Sequence, residues 1–177
     1  MKRLSLIKTF NEVELYVYTP SLFQPLLKNL EKMSLKRRLR YFRNYCRKGK
    51  YLVYYLKKGE QFIAMCVACN GGGGLKLKCT SQEDIVLGPY YVIPSERGKG
   101  YAKMLIGMVL ENYPTEYRYA FDLISKKNTP SLKASQAMGF EVYEEIKLVG
   151  LLRRHKVVEN NGTYYILQTT NKRDGSI

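Results

Sequence analysis

Ser95-Glu96-Arg97-Gly98-Lys99-Gly100-Tyr101-Ala102-Lys103-Met104-Leu105 sets two glycines one residue apart among basic side chains, directly ahead of a helical apolar pattern. Upstream, residues 85–93 read as a strand that Pro94 stops. Downstream, Ala102, Leu105, Ile106, Met108, Val109 and Asn112 predict a helix over 102–113, closed by Pro114. The first N–H groups of a helix lack partners inside it, and the aligned peptide dipoles make that end positive. Gly98 and Gly100 let a ligand approach the backbone, and Arg97, Lys99 and Lys103 add full charges. Such a strand–turn–helix suits a pyrophosphate group. It is not the G-x-G-x-x-G dinucleotide fingerprint, because position 103 is lysine.

Outward from this stretch, the chain alternates between strand and helix patterns. Residues 4–18 predict a strand or a strand–turn–strand around Asn11-Glu12. Thr19-Pro20-Ser21 offers a helix start, with Leu22, Leu26, Leu27 and Leu30 at helical spacing. A second helix is expected over 34–46, with Leu35, Leu39, Phe42 and Cys46 on one face and Gly49 as its cap. Residues 51–56 and 62–69 read as a hairpin across Lys57-Lys58-Gly59-Glu60-Gln61. Gly71-Gly72-Gly73-Gly74 has no Gly-Lys-Ser/Thr after it and reads as a connection, with a strand-like alternation over 75–79. Gly88-Pro89 interrupts the 85–93 strand with a pair that calls for a bulge or a splay. A strand over 117–124, a helix opened by Asn128-Thr129-Pro130-Ser131, and strands over 140–152 and 163–169 complete the series. The segment 153–162 connects those two strands and holds His155, placed there as a loop residue. The order is β-α-α-β-β-β-α-β-α-β-β. It predicts one α/β (α+β) domain over 1–170, a mixed twisted sheet of about seven strands flanked by helices, and a polar tail over 171–177.

Composition narrows the function classes. The 177 residues are 45% hydrophobic, enough for a sizeable core, and no apolar run reaches the roughly 18–20 residues of a membrane span. Lys8 breaks the first apolar run too early for a signal peptide, so a cytoplasmic protein is expected. Cys66-Val67-Ala68-Cys69 has CxxC spacing but lies within an apolar run, where cysteine serves as a small buried residue. With one histidine in the chain, no metal site is expected and the thiols are read as reduced. Residues 1–58 carry 15 Lys and Arg against 3 Asp and Glu, most of the net +15. That field attracts anionic partners and repels polycations.

The motif Arg97-Gly98-Lys99-Gly100-Tyr101-Ala102 resembles the Q/R-x-x-G-x-G/A signature of the GNAT superfamily of N-acetyltransferases. Asn128-Thr129-Pro130-Ser131 and then Ala137-Met138-Gly139-Phe140 resemble the family's second motif, and the match spans about 85–142. The resemblance implies a GNAT-like domain that takes acetyl-CoA as co-substrate and acetylates a primary amine by direct transfer in a ternary complex. It implies a splayed strand whose Tyr90, Tyr91 and Val92 backbone pairs with the pantetheine arm. Arg97, Gly98, Lys99, Gly100, Tyr101, Ala102 and Lys103 would hold the pyrophosphate, with Asn128 near the pantetheine. Many members place an acidic tyrosine seven residues after that asparagine; here the position is Ser135. Tyr143 and Tyr164 are candidate acids in its place, and Asp84 and Asp122 are candidate bases. From charge, an anionic amino sugar or a protein amine is the favoured acceptor. The alternative is a catalytically weak or inactive module of this fold that binds nucleic acid or a partner through 36–48, where Tyr41, Phe42 and Tyr45 are interleaved with basic residues. Monomer and homodimer are both compatible with the sequence.

Overall fold

Two hairpins with two-residue connections open the described sheet: β1 (Leu4–Phe10) with β2 (Val13–Tyr18), and β3 (Tyr51–Lys58) with β4 (Gln61–Asn70). Asn11 and Gly59, first in each connection, both adopt φ +52°, as the tight hairpin turns require. The protein is described from a computed structural model over residues 3–27, 30, 38, 41, 51–72, 77, 79–149 and 154–171. After the hairpins come β5 (Ile85–Val92), α1 (Tyr101–Asn112), β6 (Tyr119–Ser125), α2 (Thr129–Gln136), β7 (Glu141–Val149), β8 (Arg154–Val157) and β9 (Tyr164–Thr170). Among the described residues, nine strands form one sheet in the order β1-β2-β3-β4-β5-β6-β9-β7-β8. Every pairing is antiparallel except β5 with β6.

That exception follows from connectivity. Parallel neighbours need a crossover, and α1 supplies it between β5 and β6. Its inward residues Leu105, Ile106 and Val109 are fully buried against Cys66, Ala68, Ile85 and Leu87 of the sheet. Each such side chain contributes roughly 1.5–3 kcal/mol of burial. The opposite sheet face carries separate clusters. One joins Tyr18, Val53, Tyr55, Met65 and Val67 to Leu26; the other joins Cys69, Val86, Phe121, Ile146 and Ile166 to Leu77. Strand β4 is buried on both faces over Ile63–Cys69, which explains its unbroken apolar run. Cys66 and Cys69 consequently point into clusters on opposite faces of β4, so the CxxC spacing does not bring the two thiols together.

Several expectations are corrected. The sheet has nine strands rather than about seven, because 4–18 folds as a hairpin and Arg154–Val157 pairs with β7 as edge strand β8. His155 thus lies on a strand, opposite Leu148, rather than in a loop. Arg154-His155-Lys156-Val157 gives little apolar signal of its own; the strand exists through its ladder with β7. The helix expected from Leu22 is absent over 22–27, which runs as bends. Pro25 lacks an N–H and disfavours helical geometry at Gln24. Ser21 and Gln24 instead exchange backbone hydrogen bonds of 3.2 and 3.1 Å, and Leu26 still reaches the core. Leu77 and Cys79 are not in a strand; the Thr80 N–H turns back to the Leu77 carbonyl. Of the helix expected over 34–46, Arg38 and Tyr41 are helical and the remainder lies outside the described residues, as do Cys46, Gly49, Gly73, Gly74 and the 172–177 tail.

Gly71 shows why the glycine run begins where it does. Its N–H donates to the Asp84 carbonyl at 2.7 Å, and a Cβ at this position would run into the Ser81 carbonyl oxygen and lie 2.8 Å from Thr80 Cβ. Gly71→Ala is expected to cost about 1–3 kcal/mol through this overpacking. Chemical denaturation is the check, and an unchanged midpoint would contradict the close approach.

Candidate active site

The ladder between β5 and β6 is short: Ile85, Val86 and Leu87 pair with Ala120, Phe121 and Asp122, and pairing stops there. Beyond it, β6 continues only against β9, while β5 continues only against β4, where Tyr90, Tyr91 and Val92 oppose Cys66, Met65 and Ala64. The break is a bulge at Gly88-Pro89, where two residues of β5 stand opposite the single Val67 of β4. Gly88 adopts φ +93°, which residues with a Cβ rarely reach. Its missing side chain faces Asp122, whose Oδ1 would lie 3.5 Å from a Cβ. Beyond the bulge the two neighbouring strands share no ladder pair, and the β6-facing backbone edge of β5 is open except at Val92, whose carbonyl accepts from Arg97 Nε.

Helix α1 starts at the end of this open edge. Gly100 is its N-cap residue at φ +82°, preceded by Gly98 at φ +78°. No side chain caps the helix and no acid occupies its first turn. Nothing stands within 4 Å of where a Cβ on Gly98 or Gly100 would be. The basic side chains are distributed around this end. Arg97 donates from Nε to the Val92 carbonyl at 3.1 Å and stacks over Tyr91; Lys99 pairs with Glu96 at 3.1 Å; Lys103 is exposed. The Tyr101 hydroxyl accepts from Lys58 at 3.3 Å. An uncapped, acid-free helix start bordered by glycines fits a phosphate group.

Three elements meet beside the splay. Ser135 of α2 is fully buried and donates to Asp122 Oδ2 at 2.8 Å. The Tyr90 hydroxyl lies 3.2 Å from Ser135 Oγ and donates to the Ser131 carbonyl at 3.0 Å. Burial pushes the Asp122 carboxyl up to about 7, with Ser135, the Leu123 N–H and Tyr90 opposing part of that rise. Burial likewise pushes the Tyr90 phenol above its ordinary value, and the Cys66 thiol on the same sheet face up to about 12. Tyr90 and Cys66 therefore keep their protons at neutral pH.

The other residues singled out from the sequence lie apart from this cluster. Asp84 is buried in the turn ahead of β5, accepting from the Ser81 N–H and hydroxyl at 2.7 and 2.9 Å, with Arg118 Nε at 3.7 Å. It precedes the bulge by four residues, about 13 Å along an extended chain. Tyr143 is half-exposed at a bulge in β7, and its ring meets Phe121 on the sheet face opposite Asp122. Tyr164 packs with that same opposite-face cluster. Asn128 is the N-cap residue of α2, accepting from the Ser131 N–H at 3.4 Å. Sequence reasoning assigned only the backbone of Tyr90; the meeting of its hydroxyl with Ser135 depends on how α2 docks.

A model of the Acetyltransferase (GNAT) family matches residues 19–140. The chain belongs to that family. Its fold is similar to the yncA protein of Salmonella typhimurium, solved with its cofactor acetyl-CoA, at 12% identity and a TM-score of 0.59, covering 92% of this chain and 96% of that one. It is similar to an N-acetyltransferase from Staphylococcus aureus Mu50 at 15% identity and 0.56, covering 89% and 99%. AAC(6')-Ib, solved with ribostamycin and coenzyme A, matches at 13% identity and 0.58, covering 79% and 76%. No curated protein matches the chain. No helix among the described residues is long and apolar enough to cross a membrane.

The Asp122 environment of this GNAT chain gives a stability signature. An unfolded aspartate titrates near about 3.9, whereas the native carboxyl holds its proton to about 7. The native state therefore binds the extra proton between these values. Its contribution is full below about pH 4 and is lost as pH rises through about 7. Asp122→Asn should remove this decline from thermal melts taken across that range. Parallel Tm–pH curves for the two proteins would show that another group is responsible.

Proposed function

We propose that the protein transfers the acetyl group of acetyl-CoA to a primary amine, directly and without an acyl-enzyme. The observation that carries this reading is the β5–β6 splay, opening beside an uncapped and glycine-bordered start of α1. Acetyl-CoA supplies an activated thioester when bound. In this reading the open edge of β5 at Tyr90, Tyr91 and Val92 aligns the pantetheine amides. The N–H groups from Gly98 to Lys103 hold the pyrophosphate, supported by the charges of Arg97, Lys99 and Lys103. Tyr101 and Ala102 form the first turn that presents those groups, and Asn128 orders the start of α2. Membership of the GNAT family supports the chemistry, and the acetyl-CoA-bound yncA structure supports the ligand.

Asp84 takes a structural part here, because Ser81 holds its carboxylate at the far end of β5 from the splay. Tyr143 and Tyr164, on the other sheet face, are assigned no proton-transfer step. Residues 1–170 act as one catalytic unit, and Asn171, buried with its N–H on the Arg118 carbonyl, belongs with it. The acceptor is an anionic amine, such as an amino sugar on a phosphate carrier, or an amine of a protein. The net charge of +15 supports this, since it repels polycations at long range. AAC(6')-Ib is a GNAT-fold neighbour solved with an aminoglycoside, so charge and not fold distinguishes the acceptors here.

Isothermal titration with acetyl-CoA tests the reading, and no binding at millimolar cofactor would defeat it. Gly100→Ala should cost roughly 1–2 kcal/mol of stability if the turn is kept at φ +82°, or, where the turn moves to relieve that strain, bind acetyl-CoA at least about tenfold more weakly. Among matched acceptors, turnover should rank anionic amines above polyamines, with the gap shrinking as salt rises. Preferential turnover of a polyamine would overturn the acceptor class.

A further inference from the structure

The family resemblance puts a phenol on α2, seven residues after Asn128, and this chain has Ser135 there instead. Ser135 is fully buried, and its hydroxyl is directed to Asp122. A phenol nevertheless reaches Ser135 from the facing strand. Tyr90 follows the Gly88-Pro89 bulge and projects from β5 onto α2, where its oxygen lies 3.2 Å from Ser135 Oγ. Ser135 Oγ in turn lies 2.8 Å from Asp122 Oδ2. The three oxygens form one continuous chain across the gap between β5 and β6, from the half-buried Tyr90 to the fully enclosed Asp122.

We propose that Tyr90 is the acid that protonates the departing thiolate, with Ser135 and Asp122 positioning it and returning its proton. The inference rests on the acetyl-transfer reading above. As the acceptor nitrogen forms its bond to the acetyl carbon, the C–S bond breaks and sulfur keeps the electron pair. The Tyr90 phenolic proton passes to that sulfur. The Tyr90 oxygen then takes the Ser135 hydroxyl proton, and Ser135 takes the proton of the Asp122 carboxyl. Between turnovers a solvent proton enters at the half-buried Tyr90 and returns along the same chain to Asp122, balancing the proton that the acceptor amine releases.

The hydrogen-bond directions set how the chain responds to pH. With Asp122 ionised, Ser135 must donate to it, and Tyr90 donates to the Ser131 carbonyl. With Asp122 protonated, the carboxyl donates to Ser135, whose own proton is freed to point at Tyr90. The groups around Asp122 leave this titration to the chain itself. Cys66 of β4 and Tyr90 of β5 both remain neutral, Ser135 of α2 does not titrate, and Leu167 of β9 is its apolar register partner. The carboxyl titrates near about 7, so the proton-supplying form is populated at neutral pH and below.

The test uses the full chain, acetyl-CoA, and a panel of primary amines with hydroxylamine, reading coenzyme A release and, separately, acetyl-CoA affinity by calorimetry. Wild-type kcat should fall as pH rises through about 7. Tyr90→Phe should lower kcat by about 10²-fold or more, leaving the Kd for acetyl-CoA within a few-fold. Asp122→Asn should abolish the limb near 7, and this second variant keeps the assignment testable if Tyr90→Phe does not fold. A Tyr90→Phe protein with unchanged kcat, whatever its melting temperature, would overturn the assignment and leave the chain as a structural clasp. Wild-type binding of acetyl-CoA with no coenzyme A release from any acceptor would overturn it as well. Absence of acetyl-CoA binding is a different failure, since it removes the transferase reading itself.

Discussion

The parallel ladder between β5 and β6 ends after three residue pairs, and most of the site's geometry follows from that termination. The bulge at Gly88-Pro89 adds one residue to β5 relative to β4, which turns β5 away from β6 while keeping it in the sheet. A backbone edge inside a sheet is normally satisfied by its neighbour, and leaving one unpaired carries a desolvation cost unless water or a ligand meets it. An extended ligand bearing amides is the natural complement to such an edge. The same divergence leaves a gap wide enough for side chains of α2 to bridge, which is how Ser135 comes to stand between Tyr90 and Asp122.

Buried polar groups at this junction are connected rather than isolated. Asp122 would be expensive to bury as an anion without compensation. Burial and hydrogen bonding oppose one another there, and burial dominates, which raises the carboxyl into the neutral range. Asp84 is buried too, but in a turn where two donors from Ser81 converge on one oxygen and Arg118 approaches the other. Two aspartates that read alike in sequence thus have different surroundings: one fixes a turn, the other stands in a hydrogen-bonded chain at the splay.

Much of this was legible from residue order. Gly88-Pro89 announced a broken strand, Arg97–Lys103 announced a glycine-bordered helix start, and Asn128 announced the start of α2, each through local backbone chemistry. Local signals misled where another local signal was overlooked or where none existed. Pro25 prevented the helix that the leucine spacing suggested over 22–27, while Arg154–Val157 gained its strand only from pairing with β7. The cysteines of the CxxC spacing read as small buried residues, and Cys66 and Cys69 are both buried, in clusters on opposite faces of the strand.

The sequence by itself determined the element series around the glycine motif, the family signature, and the basic character of the chain. These are properties of neighbouring residues, set by backbone preference, periodicity and summed charge. The tertiary structure decided which hydroxyl meets which carboxylate. Tyr90, Asp122 and Ser135 are separated by 32 and 13 residues along the chain, and they meet only because the bulge turns β5, β6 runs on without it, and α2 packs over the gap. A hydrogen bond depends on distances of a few tenths of an ångström, and such distances between remote residues are fixed by packing alone.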